Sequence, residues 1–335
     1  MATIKDVARA AGVSVATVSR VINRSPKAST KAIESVNLAM AQLGYRPNAN
    51  ARALVSQSTN TMGVLVSDVS DPFFGTLIKA VDDVAHTKGK HLLIGNGYHN
   101  ANEEREAIEL LVNSRCESLV IHAKGLSDKE LLSYTQEVRG MVLINRHIPE
   151  IAHRCIALDN YKGAYLATEY LIRHGHTNIA CISSSHHIED VDARIAGYLA
   201  ALKDHNIVLS DKYIVHRNPN GEGGEEAMTH LLTQSLPITA VFAYNDYMAA
   251  GAMSILDENG LDVPENVSVI GFDDGPIARY LTPKLTTIRY PIQMMAEQAA
   301  QLALALANGE AVHVEPVMLS PTLVRRNSVD KVRKE

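Results

Sequence analysis

Apolar residues recur every three or four positions in three stretches near the amino terminus, and this period predicts three short helices. The first begins at a capping box formed by Thr3 and Asp6 and ends at Gly12, which tolerates a positive φ. The second is "SVATVSRVIN", residues 14–23, and the third covers residues 30–43. Two helices joined by a tight glycine turn, with a third closing the core, are typical of a helix-turn-helix unit.

The second predicted helix has two unlike sides. Val18, Val21 and Ile22 form an apolar side that would pack on the first helix, whereas the opposite side is small or polar. In a helix-turn-helix unit the second helix enters the major groove of DNA. Small residues allow close approach to the bases, and Arg20 would bind guanine or phosphate. The predicted groove side comprises Val15, Ala16, Thr17, Arg20 and Asn23.

Charge is distributed unevenly along the chain. Residues 1–59 contain eight Lys or Arg residues and two acidic residues, which gives a net charge of +6. The remaining residues have a net charge of −11, so the −5 of the whole chain conceals a basic head and an acidic body. A basic head indicates a polyanionic partner, and a solvated basic face is the alternative.

Residues 47–59 form a predicted linker between the head and the body. Pro47 disfavours helix at the residue before it, and Asn48 would cap a short helix over residues 49–54. A helix of this length is marginal in water, so we expect it to be ordered only when another surface supports it.

From residue 60 onward, short apolar runs alternate with amphipathic stretches. "MGVLVSD", "HLLIGNG", "SLVIHA" and "MVLIN" are among the predicted buried strands, and "ANEEREAIELLVNS" is one of the intervening helices. Strands separated by helices predict parallel sheets with helices on both faces. Since about 275 residues is large for one such sheet, we expect two α/β lobes. The glycine-rich "NGEGGEE", residues 220–226, is predicted to be a surface turn.

Polar and aromatic residues stand at the carboxyl ends of several predicted strands, where ligands of open parallel sheets bind. Carboxylates, amides and guanidinium groups bind hydroxyls, and aromatic rings cover C–H faces, so this set suits a sugar. Helix capping is the alternative for Asn245 and Asp273 when each is taken singly. The candidates are Phe73, Phe74, Arg146, Asn245, Asp273 and Tyr290.

Other chemistry is not indicated by the sequence. The charged first residues lack the apolar core of a secretory signal, and no apolar run is long enough for a membrane helix, so we expect a cytoplasmic protein. Cys116, Cys155 and Cys181 are scattered and predict core residues. "SSSHHIED", residues 183–190, sets two histidines beside acidic residues, but adjacent imidazoles seldom share a metal. We predict no metal, no cofactor and no enzymatic activity.

The head resembles the DNA-binding segment of the lactose/galactose repressor family. The resemblance rests on the spacing D-V-A-x-x-A-G-V-S-x-x-T-V-S-R-V-x-N in "TIKDVARAAGVSVATVSRVIN". It implies a transcriptional repressor whose linker folds on operator DNA, where Leu54 from two copies would open the minor groove. The DNA-binding residues that it implies are Thr3, Ser14, Val15, Ala16, Thr17, Arg20, Asn23, Asn48 and Leu54.

The body resembles the two-lobe periplasmic sugar-binding fold, and the match covers nearly the full chain. The resemblance adds Arg194, in "DARIAGY", to the six ligand-binding candidates above. "LLIGNGYHN", "GMVLINR" and "SPTLVRR" are most similar to the galactose repressors of the family, which implies D-galactose as the effector. The implied domains are a head at 1–46, a hinge-helix linker at 47–59, and a body at 60–335 whose first lobe is about 60–160 and 292–320 and whose second lobe is about 161–290.

The resemblance also implies a homodimer on a near-palindromic operator, located in the cytoplasm and at the nucleoid when bound. The helix after the first strand, about 74–88, is the candidate for dimer packing. Galactose between the lobes would favour a closed arrangement that releases the operator. The genes under control would be those of sugar metabolism and transport. The alternative effectors are another sugar or a purine co-repressor. A transport-type binding protein, which the basic head opposes, and a sugar-modifying enzyme are the other function classes.

Overall fold

The computed structural model describes residues 2–23, 25–45, 60–310 and 317–332. Internal contacts divide the chain into two units, a head, Met1–Thr59, and a body, Asn60–Glu335. The three helices predicted for the head are present, and they are α1 (Ile4–Ala11), α2 (Val15–Ile22) and α3 (Thr30–Gln42).

Local interactions begin and end these helices where the sequence predicts. In the capping box of α1, the Thr3 backbone N–H donates to Asp6 Oδ2 at 2.9 Å, and the Asp6 N–H donates to Thr3 Oγ1. Gly12 ends α1 with a φ of 65°. Ser14 caps α2 by accepting the Thr17 backbone N–H at 3.1 Å. The three helices enclose a core of Val7, Ala8, Val18, Val21, Val36 and Ala39.

Lobe 1 of the body is a six-stranded parallel sheet between two pairs of helices. Its strands are β1 (Thr61–Val66), β2 (His91–Asn96), β3 (Ser118–Ile121), β4 (Gly140–Ile144), β5 (Cys155–Leu158) and β11 (Val317–Leu319). Its helices are α4 (Pro72–Thr87), α5 (Ala101–Asn113), α6 (Asp128–Glu137) and α11 (Ile292–Ala307). The strand order is β11-β5-β4-β3-β1-β2.

Lobe 2 repeats this architecture with one antiparallel edge strand. Its strands are β6 (Ile179–Ser184), β7 (Ile214–Arg217), β8 (Ala240–Ala243), β9 (Ser268–Asp273), β10 (Thr286–Arg289) and β12 (Thr322–Val324). Its helices are α7 (Asn160–Arg173), α8 (Glu189–Asp204), α9 (Gly221–Thr233) and α10 (Asp246–Glu258). The order is β12-β10-β9-β8-β6-β7, and β12 pairs antiparallel with β10.

Alternate residues of each strand pack against different helix layers. In lobe 1, Val64 and Val120 pack in a cluster with residues of α4 and α11, whereas Leu65 and Leu119 pack with α5 and α6. Both faces of the sheet are therefore covered, which is why these strands are apolar at almost every position. The prediction of two lobes with parallel sheets and helices on both faces is confirmed.

The chain crosses between the lobes three times, after β5, after β10 and between β11 and β12. These crossings follow the ends of strands, so the carboxyl ends of β4, β9 and β10 lie beside the cleft between the lobes. The candidate ligand residues named from the sequence lie mostly at these ends. None of the helices in the described part of the chain combines the length and apolar character that a membrane span requires.

The prediction of a surface turn at "NGEGGEE" is wrong, because these residues begin helix α9. Asn220 caps the helix by accepting the Gly223 backbone N–H at 2.8 Å. A Cβ atom on Gly224 would lie 2.2 Å from the Met248 carbonyl oxygen of α10. The glycines are therefore needed for close packing of the backbone, and they do not mark a turn.

Candidate functional site

The head presents the side of α2 that the sequence assigned to DNA. Val15 is 41% exposed, and Ala16, Arg20 and Asn23 are also exposed, while Thr17 is partly buried. Val18 and Val21, on the opposite side, are buried in the core of the head. A helix held by its apolar side leaves a small, polar side with one cation free for a groove of DNA.

Some of the predicted DNA contacts already have partners within the head. Thr3 Oγ1 donates to Asp6 Oδ2 at 2.7 Å, and the Ser14 and Thr17 hydroxyls lie 2.9 Å apart. Thr3 and Ser14 therefore serve first as helix caps, and the Thr17 hydroxyl is paired with the Ser14 cap. Asn48 and Leu54, the predicted linker contacts, lie outside the described residues.

A small cavity between the two lobes brings together six of the seven predicted ligand residues. Its volume is about 60 Å³, well below the roughly 300–1,000 Å³ of ordinary ligand pockets. A second cavity of about 390 Å³ shares part of its lining, including His99 and His186, and lies next to it. The predicted residues that line the small cavity are Phe73, Phe74, Arg194, Asn245, Asp273 and Tyr290.

Arg194, on α8, is buried and held by contacts that leave some of its donors unused. Its Nε donates to Asn160 Oδ1 at 2.9 Å, and its Nη1 donates to the Tyr244 carbonyl oxygen at 2.5 Å. The guanidinium stacks over the rings of Phe272 and Tyr244, with its carbon 3.7 Å and 4.4 Å from the ring centroids. A guanidinium has five N–H donors, so this rigid placement leaves donors for a ligand hydroxyl.

Asp273 places a carboxylate beside Arg194. Its Oδ1 lies 3.9 Å from Arg194 Nη2, which is an ion pair but too long for a hydrogen bond. Burial raises the pKa of Asp273 well above its ordinary value, although Arg194 acts in the opposite direction. Asp273 and Asp274 both have positive φ, of 112° and 55°. Such backbone strain clusters at functional sites, where the surrounding structure maintains it.

The loop that carries Asp273 is fixed from both sides. Asp246 Oδ2 accepts the Gly275 backbone N–H at 2.7 Å, and burial raises the pKa of Asp246 to about 7. Asp274 accepts a hydrogen bond from Arg289 Nε at 2.9 Å and another from Arg326. The neighbouring carboxylate is therefore occupied by structural contacts, whereas the carboxylate of Asp273 remains available to a ligand.

Aromatic rings form the other wall of the cavity. The rings of Phe73 and Phe74 meet edge to face at 5.2 Å, and Phe73 meets Tyr290 in the same way at 5.0 Å. The Tyr290 hydroxyl is buried and has no hydrogen-bond partner among the described residues. An unpaired buried hydroxyl that lines a cavity is a candidate to bind a polar ligand, because its desolvation is otherwise uncompensated.

Replacing Tyr290 with phenylalanine is expected to weaken sugar binding without destabilising the fold. The substitution removes only an unpaired hydroxyl, so the free energy of unfolding should change by less than about 0.5 kcal/mol. The dissociation constant of the sugar should rise about five- to tenfold, since one neutral hydrogen bond is lost. Calorimetric titration and denaturant unfolding measure the two quantities.

Tyr198→Phe is the matched control for this prediction. The Tyr198 hydroxyl is also buried, but it donates to the Ile179 carbonyl oxygen at 2.7 Å, and Tyr198 does not line the cavity. Its loss should reduce the free energy of unfolding by about 1–2 kcal/mol and leave sugar affinity unchanged. Unaltered sugar affinity in the Tyr290 variant would show that this hydroxyl does not contact the ligand.

Arg146 does not line the cavity, which corrects the sequence assignment. Its guanidinium donates to the carbonyl oxygens of Ala123 and Leu126 and to Asp128 Oδ1, at 2.7–3.2 Å. The preceding residue, Asn145, lines the cavity instead and has a positive φ of 56°. The turn after β4 therefore presents the asparagine to the cleft, while the arginine fixes the neighbouring loop of lobe 1.

Asn245 caps a helix and also lines the cavity. Its Oδ1 accepts the Met248 backbone N–H at 2.8 Å and so caps α10, and its Nδ2 donates to the Pro219 carbonyl oxygen at 2.8 Å. It nevertheless lines the cavity. The cap fixes the side chain, and one further lone pair on the amide oxygen can accept a ligand hydroxyl.

Several cavity residues were not identified from the sequence. Asp190 and Tyr244 line the cavity, and so do three histidines whose rings approach one another within 6 Å. Burial, with a contribution from His186, lowers the pKa of His99 to about 4, so this ring is neutral near pH 7. The strand ends could have indicated Tyr244 and His122, but only the lobe geometry brings together His99, His122 and His186.

Comparisons with known proteins place the head and the body in described families. Residues 3–48 match the bacterial regulatory proteins of the lacI family, and residues 168–329 match the periplasmic binding protein-like domain. The chain is 56% identical to the HTH-type transcriptional regulator GalR of Escherichia coli, over 98% of this chain and 96% of that protein. It is 53% identical to the HTH-type transcriptional regulator GalS of Salmonella typhimurium, over 98% of this chain and 97% of that protein.

A solved structure of related architecture supports the same grouping. The lac repressor dimer bound to operator and the anti-inducer ONPF is 26% identical to this chain. It superposes with a TM-score of 0.84 over 98% of this chain and 99% of that one. The order of a helical head followed by a two-lobe α/β body is therefore shared over nearly the full length.

Proposed function

Because this chain belongs to the lacI family of bacterial regulatory proteins and is a DNA-binding transcriptional repressor, we propose that D-galactose is the effector that releases it from its operator. The relatives described above are transcriptional regulators and not enzymes, and this chain is not an enzyme. The genes under its control are proposed to serve galactose metabolism and transport.

The observation that carries this proposal is the cavity between the lobes. Arg194 offers free guanidinium donors, Asp273 offers a carboxylate, and Tyr290 offers an unpaired hydroxyl. Phe73 and Phe74 supply apolar faces on the other wall. A hexose has hydroxyls around a ring and a C–H face, so this combination of polar and aromatic groups suits it better than it suits an anion or an apolar ligand.

The proposed mechanism is coupling between the cleft and the operator-binding residues. Galactose contacts both lobes and so favours the closed arrangement. We propose that closure destabilises the hinge helices of residues 47–59, including the Leu54 wedge, in an operator-bound dimer. Reciprocity then requires operator DNA to weaken galactose binding by the same factor, typically about 5–150-fold in coupled systems.

The proposed assembly is a homodimer on a palindromic operator. A two-fold dimer presents two equal heads, and each would bind one half-site with the exposed side of α2. Helix α4, residues 72–87, is the proposed packing element of the dimer. The proposed location is the cytoplasm, with association to the nucleoid when the operator is bound.

Gel shifts with operator DNA at fixed salt, with and without galactose, test this proposal. Saturating galactose is expected to lower operator affinity by about 5–150-fold. Parallel gel shifts with glucose or a purine base, each at the concentration used for galactose, distinguish the other effector classes. Unchanged operator affinity with galactose would refute the effector assignment. Tighter operator binding with the purine would show that the effector is a purine co-repressor.

A further inference from the structure

Lys124 is a fully buried lysine that joins the two lobes. It follows β3 in lobe 1, and its side chain is 0% exposed. Its Nζ lies 2.7 Å from Asp190 Oδ1 and 2.8 Å from Glu189 Oε1, both in the first turn of α8 in lobe 2. The same ammonium donates to the carbonyl oxygen of Asn145 in its own lobe. All three N–H donors of the ammonium thus have acceptors.

The segment that carries Lys124 is held in place by a buried carboxylate. Glu104 of α5, which is 1% exposed, accepts the backbone N–H groups of Lys124, Gly125 and Leu126, each at 2.9 Å. A Cβ atom on Gly125 would lie 2.7 Å from the Ala101 backbone nitrogen, so the segment packs directly on the start of α5. Lys124 therefore extends from a rigid part of lobe 1.

Asp190, the acceptor on the other lobe, belongs to the cavity itself. Its second oxygen, Oδ2, accepts a hydrogen bond from Asn145 Nδ2 at 2.6 Å. Burial alone would raise the pKa of Asp190, but Lys124 and Arg194 outweigh it and hold the pKa below its ordinary value. The carboxylate is therefore charged, and it connects Lys124 and Asn145 of lobe 1 with the helix that carries Arg194.

We propose that Lys124 is a positioning residue that holds the cleft closed. The Lys124–Asp190–Glu189 contacts, here called the interlobe cluster, would be lost if the lobes separated. A buried charge that loses its partner is strongly destabilised, so without Lys124 the carboxylate of Asp190 is better accommodated in the open, hydrated cleft. Lys124 thereby shifts the balance between open and closed lobes and fixes Asn145 and Asp190 at the cavity wall. The part of this inference that concerns galactose binding rests on the proposed function.

Lys124→Met in the full chain tests this proposal, with Lys129→Met as the matched control. Lys129 is an exposed lysine of α6 in the same lobe, so the same change is made outside the cleft. We expect the sugar-free Lys124 variant to show a larger radius of gyration in small-angle X-ray scattering. Its galactose dissociation constant is expected to rise about tenfold, since the ligand must now close the lobes unaided. The Lys129 variant should match the wild type in both measurements.

Further variants separate positioning from a general loss of structure. Lys124→Arg keeps the charge and should recover most of the wild-type behaviour, whereas a passive packing role predicts no such recovery. Asp190→Asn should also open the cleft, and adding it to Lys124→Met should cause little further opening, because the two residues act as one unit. Glu189→Gln removes only the charge of the half-exposed partner and should have a smaller effect in the same direction.

The outcomes distinguish this inference from the effector assignment. If the Lys124→Met variant keeps the wild-type scattering profile, the interlobe cluster does not hold the lobes together and the inference is overturned. If the wild type binds no galactose, the proposed effector is wrong, but the scattering comparison still decides the role of Lys124. Additive effects of the Lys124 and Asp190 substitutions would also contradict the inference.

Discussion

Replacing Arg194 with alanine is expected to give a repressor that binds its operator and no longer responds to galactose. The guanidinium is fixed by Asn160, by the Tyr244 carbonyl oxygen and by two aromatic rings. Hydrogen bonds from charged donors contribute about 1.5–3 kcal/mol each, so loss of two ligand contacts raises the half-releasing galactose concentration by about 100-fold or more. A galactose titration of the operator complex measures this concentration.

Arg146→Ala is the control. The sequence predicts that Arg146 lies in the ligand site, but in the structure this arginine does not line the cavity. The substitution should leave the galactose response near that of the wild type and reduce stability modestly, since the contacts of Arg146 with Ala123, Leu126 and Asp128 are lost. Wild-type operator affinity in both variants would show that each variant is folded. A normal galactose response in the Arg194 variant would remove this residue from the binding site.

The alternation of apolar and amphipathic stretches was sufficient to predict the architecture of the body. Strands buried on both faces are apolar at nearly every position, so β1 and β4 could be located without knowing their neighbours. Helix caps were equally predictable from the sequence, because the capping box of Thr3 and Asp6 depends only on residues three positions apart. Features set by local chemistry could thus be predicted.

Backbone geometry at a strand end limited the prediction of the cleft. The sequence indicates that a polar residue follows β4, but it does not indicate which of two adjacent residues turns inward. The positive φ of Asn145 and the hydrogen bond from its N–H to the Ile156 carbonyl oxygen present this residue to the cavity. Arg146 is thereby directed to Asp128. A shift of one residue at a turn exchanges the two roles.

Long-range pairing explains the other differences. Glu189 and Asp190 of "SSSHHIED" bind Lys124, which lies more than sixty positions earlier in the chain, and no motif in the sequence indicates this pairing. The glycines of "NGEGGEE" predict a turn when the sequence is taken alone, because Met248, the residue whose backbone requires Gly224 to be small, lies in another helix. Contacts between distant segments leave no periodic pattern in the sequence, so these residues could be identified only from the fold.

Replacing Arg20 with alanine is expected to weaken sequence-specific operator binding strongly while sugar binding persists. Arg20 is exposed on the side of α2 that also presents Val15 and Ala16, and the opposite side of α2 is buried in the head. Loss of an arginine that binds a base edge costs about 1–3 kcal/mol per half-site. The proposed dimer loses two such contacts, so operator affinity should fall by roughly 2–6 kcal/mol, while affinity for random duplex falls much less.

Arg9→Ala separates base recognition from simple attraction to phosphate. Arg9 is on α1, and its side chain is 82% exposed, so its removal subtracts the same charge from the head on a different helix from Arg20. This variant should bind operator and random duplex with equally reduced affinity and a shallower salt dependence. Competition gel shifts at two salt concentrations distinguish the two variants. If Arg20→Ala lowered both affinities by the same factor, Arg20 would contact only phosphate, and the discrimination among base sequences would have to come from Val15, Ala16 or the linker.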